Sequence, residues 1–324
     1  MVKCSIIFCT FNSAAFLDKG LHSLLSQTLD DLEIIIVDDG STDNTIYKIK
    51  EVLNHYPQRN NQVKLIIHTK NLGIAAARTS GIQAATGEYL IHMDSDDFIE
   101  PEMYELMYKK AKEGDYDIVA CDYYFESKNK KIIISKNYES TPHECLKIIN
   151  NKENCLTGTL WDKMVKTRIY KEYNILPFKQ IDYNEDLNCF IRILYYSQSI
   201  TVIRKPLYHH IKRENSVMDI DKVSNNEYWE MRRKSLDFLG KFFENKNQDS
   251  FLLCVDRWKL DFKLEILPYF QGPFMDWYKL YENTHKNILK FNYISRRGRV
   301  FLWLLFRNKI LAYVFYKKRV ISNL

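Results

Sequence analysis

The chain has 324 residues, 47 Lys plus Arg against 41 Asp plus Glu, a formal net charge of +6 and 46% hydrophobic residues. This is a globular composition with material for one large core or two unequal ones, and it excludes disorder, a solenoid, a coiled coil and a collagen-like chain. From Lys286 onward there are ten basic residues and no acidic one, whereas the first 285 residues carry 37 basic and 41 acidic groups, so the total charge is no argument for nucleic acid as a partner.

In chain order, Cys4 to Thr10 reads as a strand, Ala14 to Gln27 as a helix, Leu32 to Asp38 as a strand and Asp43 to Tyr56 as a helix. Lys64 to Thr69 is a third strand, Ile74 to Ala85 a small-residue helix, and Glu88 to Asp94 a fourth strand. Strands separated by helices of this length imply βαβ units and a mainly parallel sheet, whose ligands sit at the carboxyl ends of the strands. Pro101 opens a helix running to about Glu113. Asp117 to Glu126 and Lys131 to Lys136 read as strands, with helices over His143 to Asn150, Asp162 to Tyr173 and Asn184 to Tyr196 and an extended piece from Thr201 to Ile211. Beyond Ser224 the chain reads as helical, which places a boundary near 220 between an α/β body (1–220, with halves 1–105 and 106–220) and a helical C-terminal region (221–324). The seven cysteines include no C-x-x-C pair, and the first apolar run is too short for an export core. Both features predict reduced thiols in a protein that stays inside the cell.

The acids fall at strand ends. Asp38-Asp39-Gly40-Ser41-Thr42 follows the second strand; a carboxylate there suits a uracil imide or a ribose hydroxyl, Gly40 permits a sharp turn, and Ser41 or Thr42 caps the next helix. Asp94-Ser95-Asp96-Asp97 ends the fourth strand. Residues two apart on an extended chain share a face, so Asp94 and Asp96 would repel unless a divalent cation touching a diphosphate neutralised them. Between the two, Asn71-Leu72-Gly73 leads to Arg78, a planar fork for a phosphate or for the neighbouring acids.

The order and spacing of Phe8-Cys-Thr-Phe-Asn12, Val37-Asp-Asp-Gly-Ser-Thr-Asp-Asn-Thr45, Asn71-Leu-Gly73 with Ala77-Arg78, and Gly87 to Asp97 closely resemble the family 2 glycosyltransferases, inverting enzymes of the GT-A fold. The resemblance covers residues 1 to about 105 strongly and fades by about 217. It implies a nucleotide-sugar site at Thr10, Asn12, Asp38, Asp39, Asn71, Gly73, Arg78, Asp94, Ser95 and Arg213. Asp94 and Asp96 would hold Mn²⁺ or Mg²⁺ on the diphosphate of a UDP-sugar. The family's usual Pro before the threonine is Cys9 here. Inverting transfer needs one carboxylate to take the acceptor's proton; the pair at the start of a helix supplies Asp186, with Glu185 as second choice. His209 or His210 would complete the metal shell, with Lys212 and Arg213 offsetting diphosphate charge; neighbours on a strand face opposite ways, so at most one histidine serves.

Trp161-Asp162-Lys163 resembles the acceptor-side segment of transferases that build bacterial surface polysaccharides, Trp161 either stacking on a sugar or lying in the core. In the tail, Val300 to Phe306 and Ile310 to Tyr316 flank Arg307-Asn308-Lys309. Charges mid-run argue against a span, and the pattern fits a helix in the interface of an anionic membrane, or one packed on the body or a partner. The expectation is thus a metal-dependent sugar transferase acting on a saccharide acceptor, lipid-linked, at the inner face of a bacterial membrane. Haloacid-dehalogenase-like phosphatases need Asp-x-Asp after the first strand, and nucleotidyltransferases a basic Gly-rich loop there; neither is present. A nucleotide-sugar-binding scaffold subunit is the non-enzymatic alternative.

Overall fold

The structure, a computed structural model, describes residues 1–135, 141–142, 145, 158–179, 181–213, 226–244, 246, 249–270, 272–291 and 295–321. The expected helix over His143 to Asn150 and the residues after Arg213 in the histidine motif lie largely or wholly outside these. The chain divides into two units, Met1–Ser216 and Val217–Leu324.

In the first unit, β1 (Cys4–Thr10), β2 (Leu32–Asp38), β3 (Val63–Ile67) and β4 (Tyr89–Asp94) run parallel. They are connected through α1 (Leu17–Leu25), α2 (Thr45–Asn54) and α3 (Ile74–Ala84). The β1 residues are all buried, as are nearly all those of β2 and β4. Helices on both faces of the sheet require such uninterrupted apolar runs. The register pairs Thr10 with Asp38 and Cys9 with Asp94, so the polar ends of three strands emerge side by side at one edge. Each buried Ile or Leu in this layer contributes about 1.5–3 kcal/mol.

The second half of the unit holds β5 (Phe98–Ile99), α4 (Met103–Glu113), β6 (Ile118–Ser127), β7 (Lys130–Ile134), β8 (Lys163–Lys166), α5 (Thr167–Glu172), α6 (Glu185–Tyr196) and β9 (Ile200–Ile211). The strands form one nine-stranded mixed sheet in the order β3-β2-β1-β4-β8-β6-β9-β5, with β7 on β6. Here the sequence reading needs correction. Asp162 to Tyr173 is not one helix: Lys163–Lys166 is a strand, antiparallel to both β4 and β6, and only Thr167–Glu172 is helical. Four residues are too few for a periodicity to declare itself, and the two open strand edges decide the outcome. The described cysteines are all buried and unbridged.

The second unit contains α7 (Asn226–Glu244), α8 (Asp249–Glu265), α9 (Phe274–Lys279), α10 (Arg296–Arg307) and α11 (Lys309–Ile321). Its core gathers Leu260, Leu267, Trp277, Ile288, Leu305 and Phe306 with their neighbours. Among the described residues no helix is long and apolar enough to cross a membrane. Lys263 is fully buried in this core. Its amine donates to the Tyr278 carbonyl (2.6 Å), meets His285 Nε2 at 2.9 Å and lies 4.5 Å from the Phe306 ring centre. Burial pulls its pKa down to about 7 against the charge of Glu282. The unfolded chain therefore binds this proton more tightly than the folded one, and the contribution to stability should rise with pH from about 7 to 10. Lys263→Met is expected to raise the unfolding midpoint at pH 7 and to flatten that slope. A chemical-denaturation series across pH checks this, and stability falling with pH over the same range in the wild type contradicts it.

Candidate active site

The loop after β2 is tied down by its own acids. Asp38 Oδ1 accepts from the hydroxyls of Thr10 (3.1 Å) and Ser41 (2.5 Å), and Oδ2 accepts from the Ser41 N–H (2.9 Å). Asp39 accepts from the N–H groups of Leu72 (3.0 Å) and Gly73 (2.8 Å) and faces His68 Nδ1 at 2.6 Å. Thr10, Asp38 and Asp39 are all buried: Asp38 folds the turn, while Asp39 fastens the end of β2 to the loop before α3. Gly40 makes the turn at φ +70°, where any side chain would run into the backbone of Lys70. Neither Ser41 nor Thr42 caps α2. The cap position is Asn44, whose side chain makes no capping bond; Asp43 Oδ1 accepts from the N–H of Thr45, the first residue of the helix (3.0 Å). Exposed Asn12, at φ +47°, accepts from the Thr42 N–H (2.9 Å) and donates its own N–H to Ser41 Oγ (2.9 Å). The loops after β1 and β2 are thus tied to one another.

Gly73, at φ +91°, starts α3. Its N–H also donates to Asn71 Oδ1 (2.9 Å), and a Cβ there would stand 2.5 Å from the carboxylate of Asp182. Asp182 Oδ1 in turn accepts from the Ala75 N–H (3.1 Å), so this carboxylate sits at the positive end of α3, where anions are favoured. Sequence reading did not single out Asp182. A lone acid in a loop carries no spacing signal, and its one indirect trace was the missing side chain at Gly73.

The acidic segment after β4 is a turn. The Asp97 N–H donates to the Asp94 carbonyl (3.3 Å), so Asp94 and Asp96 do not share a strand face as the sequence reading had them. Asp96 Oδ2 takes both Nε (2.8 Å) and Nη2 (2.6 Å) of Arg213, whose guanidinium lies 3.7 Å from the ring centre of Phe16. Burial raises the Asp96 pKa, Asp94 adds to the rise and Arg213 opposes it. Ser95 Oγ lies 3.1 Å from Ser13 Oγ, linking this turn to the loop after β1. Asp97 is fully enclosed: it accepts from the Tyr208 hydroxyl (2.8 Å) and the Ile211 N–H (2.7 Å) and faces His210 Nδ1 at 3.3 Å. Burial pushes it up to about 6 against the pull of His210.

The two histidines of β9 separate as strand neighbours must. His209 is buried between the rings of Phe98 and Tyr124, its nitrogens at Glu126 (2.6 Å) and Glu100 (3.0 Å). Both are taken, which leaves His210, half-exposed and stacked on Trp161, as the histidine at the acidic turn. Trp161 is only 4% exposed and also stacks on Tyr208, which makes it a packing residue rather than a sugar platform.

Arg78 connects the two halves. Buried on α3, it donates from Nη1 to Glu185 Oε1 (2.5 Å) and from Nη2 to Asp94 Oδ1 (3.0 Å). Burial alone would lower its pKa, but Glu185, Asp94 and Asp186 together hold it well above the ordinary arginine value. The first turn of α6 thereby sits beside the turn after β4. Burial raises Glu185, which Arg78 opposes. Asp186 is half-buried, with Oδ1 accepting from the Leu187 N–H (2.7 Å). Its pKa is also raised by burial, with Arg78 and, further down, Lys163 pulling it back. Lys163 is buried behind this helix, paired with Asp162 (2.6 Å) and 4.5 Å from the ring centre of Phe190.

Residues 5–211 match the glycosyl transferase family 2 description. A cholesterol galactosyltransferase of Borreliella burgdorferi is 32% identical over 66% of this chain and 62% of its own length. A putative glycosyltransferase of Bacillus subtilis, EpsH, is 32% identical over 64% of this chain and 60% of its own. The chain therefore spans about six-tenths of the length of these curated relatives. The crystal structure of Staphylococcus aureus TarS 1–349 in complex with UDP-GlcNAc superposes with a TM-score of 0.68 at 20% identity, covering 94% of this chain and 90% of that one. This likeness concerns the fold, which is of the GT-A type with a helical C-terminal region. The strand-end loops lie within the matched segment, and so does the pair Glu185-Asp186: the chain belongs to glycosyl transferase family 2.

Proposed function

We propose that the chain transfers a sugar, with inversion, from a nucleotide diphosphate donor, UDP in the first instance, to a saccharide hydroxyl. One observation supports this reading: the Arg78 fork ties Asp94 at the end of β4 to Glu185 at the start of α6, so the proposed nucleotide-binding edge and the candidate base would work side by side. TarS, whose fold this chain shares, has been crystallised with UDP-GlcNAc, in keeping with a nucleotide-sugar donor.

In the proposed step the acceptor oxygen bonds to the anomeric carbon while the bond from that carbon to the diphosphate oxygen breaks, its electron pair leaving with the diphosphate. Asp186 receives the acceptor's proton. Between the two acids it is the better base, because Glu185 is buried and its Oε1 is held by Arg78, whereas Asp186 is half-open. A carboxylate whose pKa is lifted towards neutrality is a stronger base for this task. Arg213 and Arg78, held at the acidic turn by Asp96 and Asp94, would balance diphosphate charge in this step.

A divalent ion fits this turn. Burial and the charge of Asp94 both raise the Asp96 pKa against the pull of Arg213, which supports a further cation at this turn. Among the described residues no cluster of three or more His, Cys, Asp or Glu is arranged for a metal, so the remaining oxygens would come from the diphosphate and water, the usual sharing for Mg²⁺ or Mn²⁺. When bound, the ion would act as a Lewis acid on the leaving diphosphate. Asp96→Ala is expected to abolish the metal-dependent part of UDP binding, read by titration with and without Mn²⁺; equal affinity in both arms for the wild type contradicts the assignment. A screen of nucleotide sugars for Mn²⁺-dependent UDP release tests the reading as a whole.

The acceptor in this proposal is a lipid-linked saccharide of bacterial surface polysaccharide synthesis, capsule or exopolysaccharide, met at the cytoplasmic face of the membrane. The basic C-terminal segment supports a peripheral location on an anionic surface.

A further inference from the structure

The C-terminal hairpin is built unlike an ordinary surface helix pair. α10 and α11 bury Leu302, Leu305, Phe306, Ala312 and Tyr316 in the core of their own unit. Their outer faces are nevertheless apolar: Val300, Phe301 and Leu304 are 45%, 45% and 47% exposed, and Ile310, Tyr313 and Val314 are 77%, 44% and 58% exposed. Residues spaced by three and four share a helix face, so each helix carries a continuous exposed apolar stripe. Every stripe end is basic: Arg296 and Arg297 precede the first, Arg307 and Lys309 lie at the turn, Lys317 and Lys318 follow the second, and all six are exposed.

Beside the first stripe lies a cavity of about 320 Å³ lined by Leu264, Leu267, Pro268, Phe301, Leu302 and Phe315, with no polar side chain among them. Phe301 belongs to both the exposed stripe and the cavity wall. A dry apolar cavity of about 150 Å³ already admits benzene, so this one accommodates a run of methylenes.

We propose that this cavity is a binding site for a single hydrocarbon chain of an anionic membrane lipid, and that the hairpin docks on the bilayer by its apolar stripes. The inference deepens the peripheral location proposed above and rests on it for the partner. Charge decides the partner's chemistry. From Lys286 on the segment is basic without one acid, and each such residue near an anionic surface adds roughly fivefold to binding. The apolar stripes enter the acyl layer while the long basic side chains reach back to the headgroups. Each methylene that passes from water into the cavity adds about fourfold.

Two measurements on the full chain test this. In flotation, the wild type should rise with vesicles of phosphatidylglycerol and phosphatidylcholine and at least tenfold less with phosphatidylcholine alone. Leu304→Asp with Val314→Asp, exposed positions that leave the core intact, should abolish flotation. In the second, cis-parinaric acid, a fluorescent single-chain probe, should bind saturably to the wild type, and Leu264→Trp, which fills the cavity, should lose that signal while still floating. Thermal melts confirm that each variant is folded. Probe binding unchanged by Leu264→Trp, or flotation unchanged by the double variant, overturns the proposal. So does a self-association in vesicle-free buffer that the double variant breaks while the wild type never floats, since the stripes would then cover a second copy. UDP release measured without vesicles should be equal in all these variants; if it is absent in the wild type while flotation and probe binding hold, the transferase reading fails and the lipid site stands.

Discussion

Replacing Arg78 by Met is expected to destabilise the first unit by about 3–5 kcal/mol, the usual cost of removing one member of a buried ion-pair network. A domain holds only about 5–15 kcal/mol in all, so this single change should take a large share of it. Two buried or half-buried carboxylates lose their countercharge at once, Glu185 at 2.5 Å and Asp94 at 3.0 Å. The same loss frees the start of α6 from the end of β4, so UDP binding and transfer should fall together. Lysine should rescue poorly, since a point charge cannot serve two acids through a planar fork. Urea unfolding with a parallel UDP titration checks this. Wild-type stability in Arg78→Met would show that the two halves of the unit are held together by something other than this network.

The parallel half of the fold was legible because its strands are short apolar runs followed by polar ends, and a β-strand buried on both faces has no other way to be written. Val37-Asp38-Asp39 and Met93-Asp94 mark the sheet edge in one dimension. Roles within that edge were less legible. Asp38 and Asp39 are adjacent, yet one closes a turn through Ser41 and the other reaches Gly73, a difference set by strand register and loop path. The separation of His209 from His210 follows from strand alternation, but which of the two faces the acids depends on the pairing of β9 with β5 and β6. Asp182 and the strand Lys163–Lys166 were illegible for the same reason: each is specified by a partner some 75 to 110 residues away, Gly73 in one case and β4 in the other.

Asp186 is the proposed base that takes the acceptor's proton in a sugar transfer from UDP. Asp186→Asn keeps the shape of the side chain and removes its basicity. General-base catalysis contributes about 10²–10⁴-fold, so kcat should fall by that factor. Because burial raises the Asp186 pKa, the acid limb of the wild-type pH profile should lie above the ordinary carboxylate range and should vanish from the residual activity of the variant. The most direct measurement pairs UDP release with a UDP binding titration on Asp186→Asn and the wild type. Transfer should fall by about 10²–10⁴-fold with UDP affinity unchanged; turnover equal to the wild type would remove Asp186 as the base.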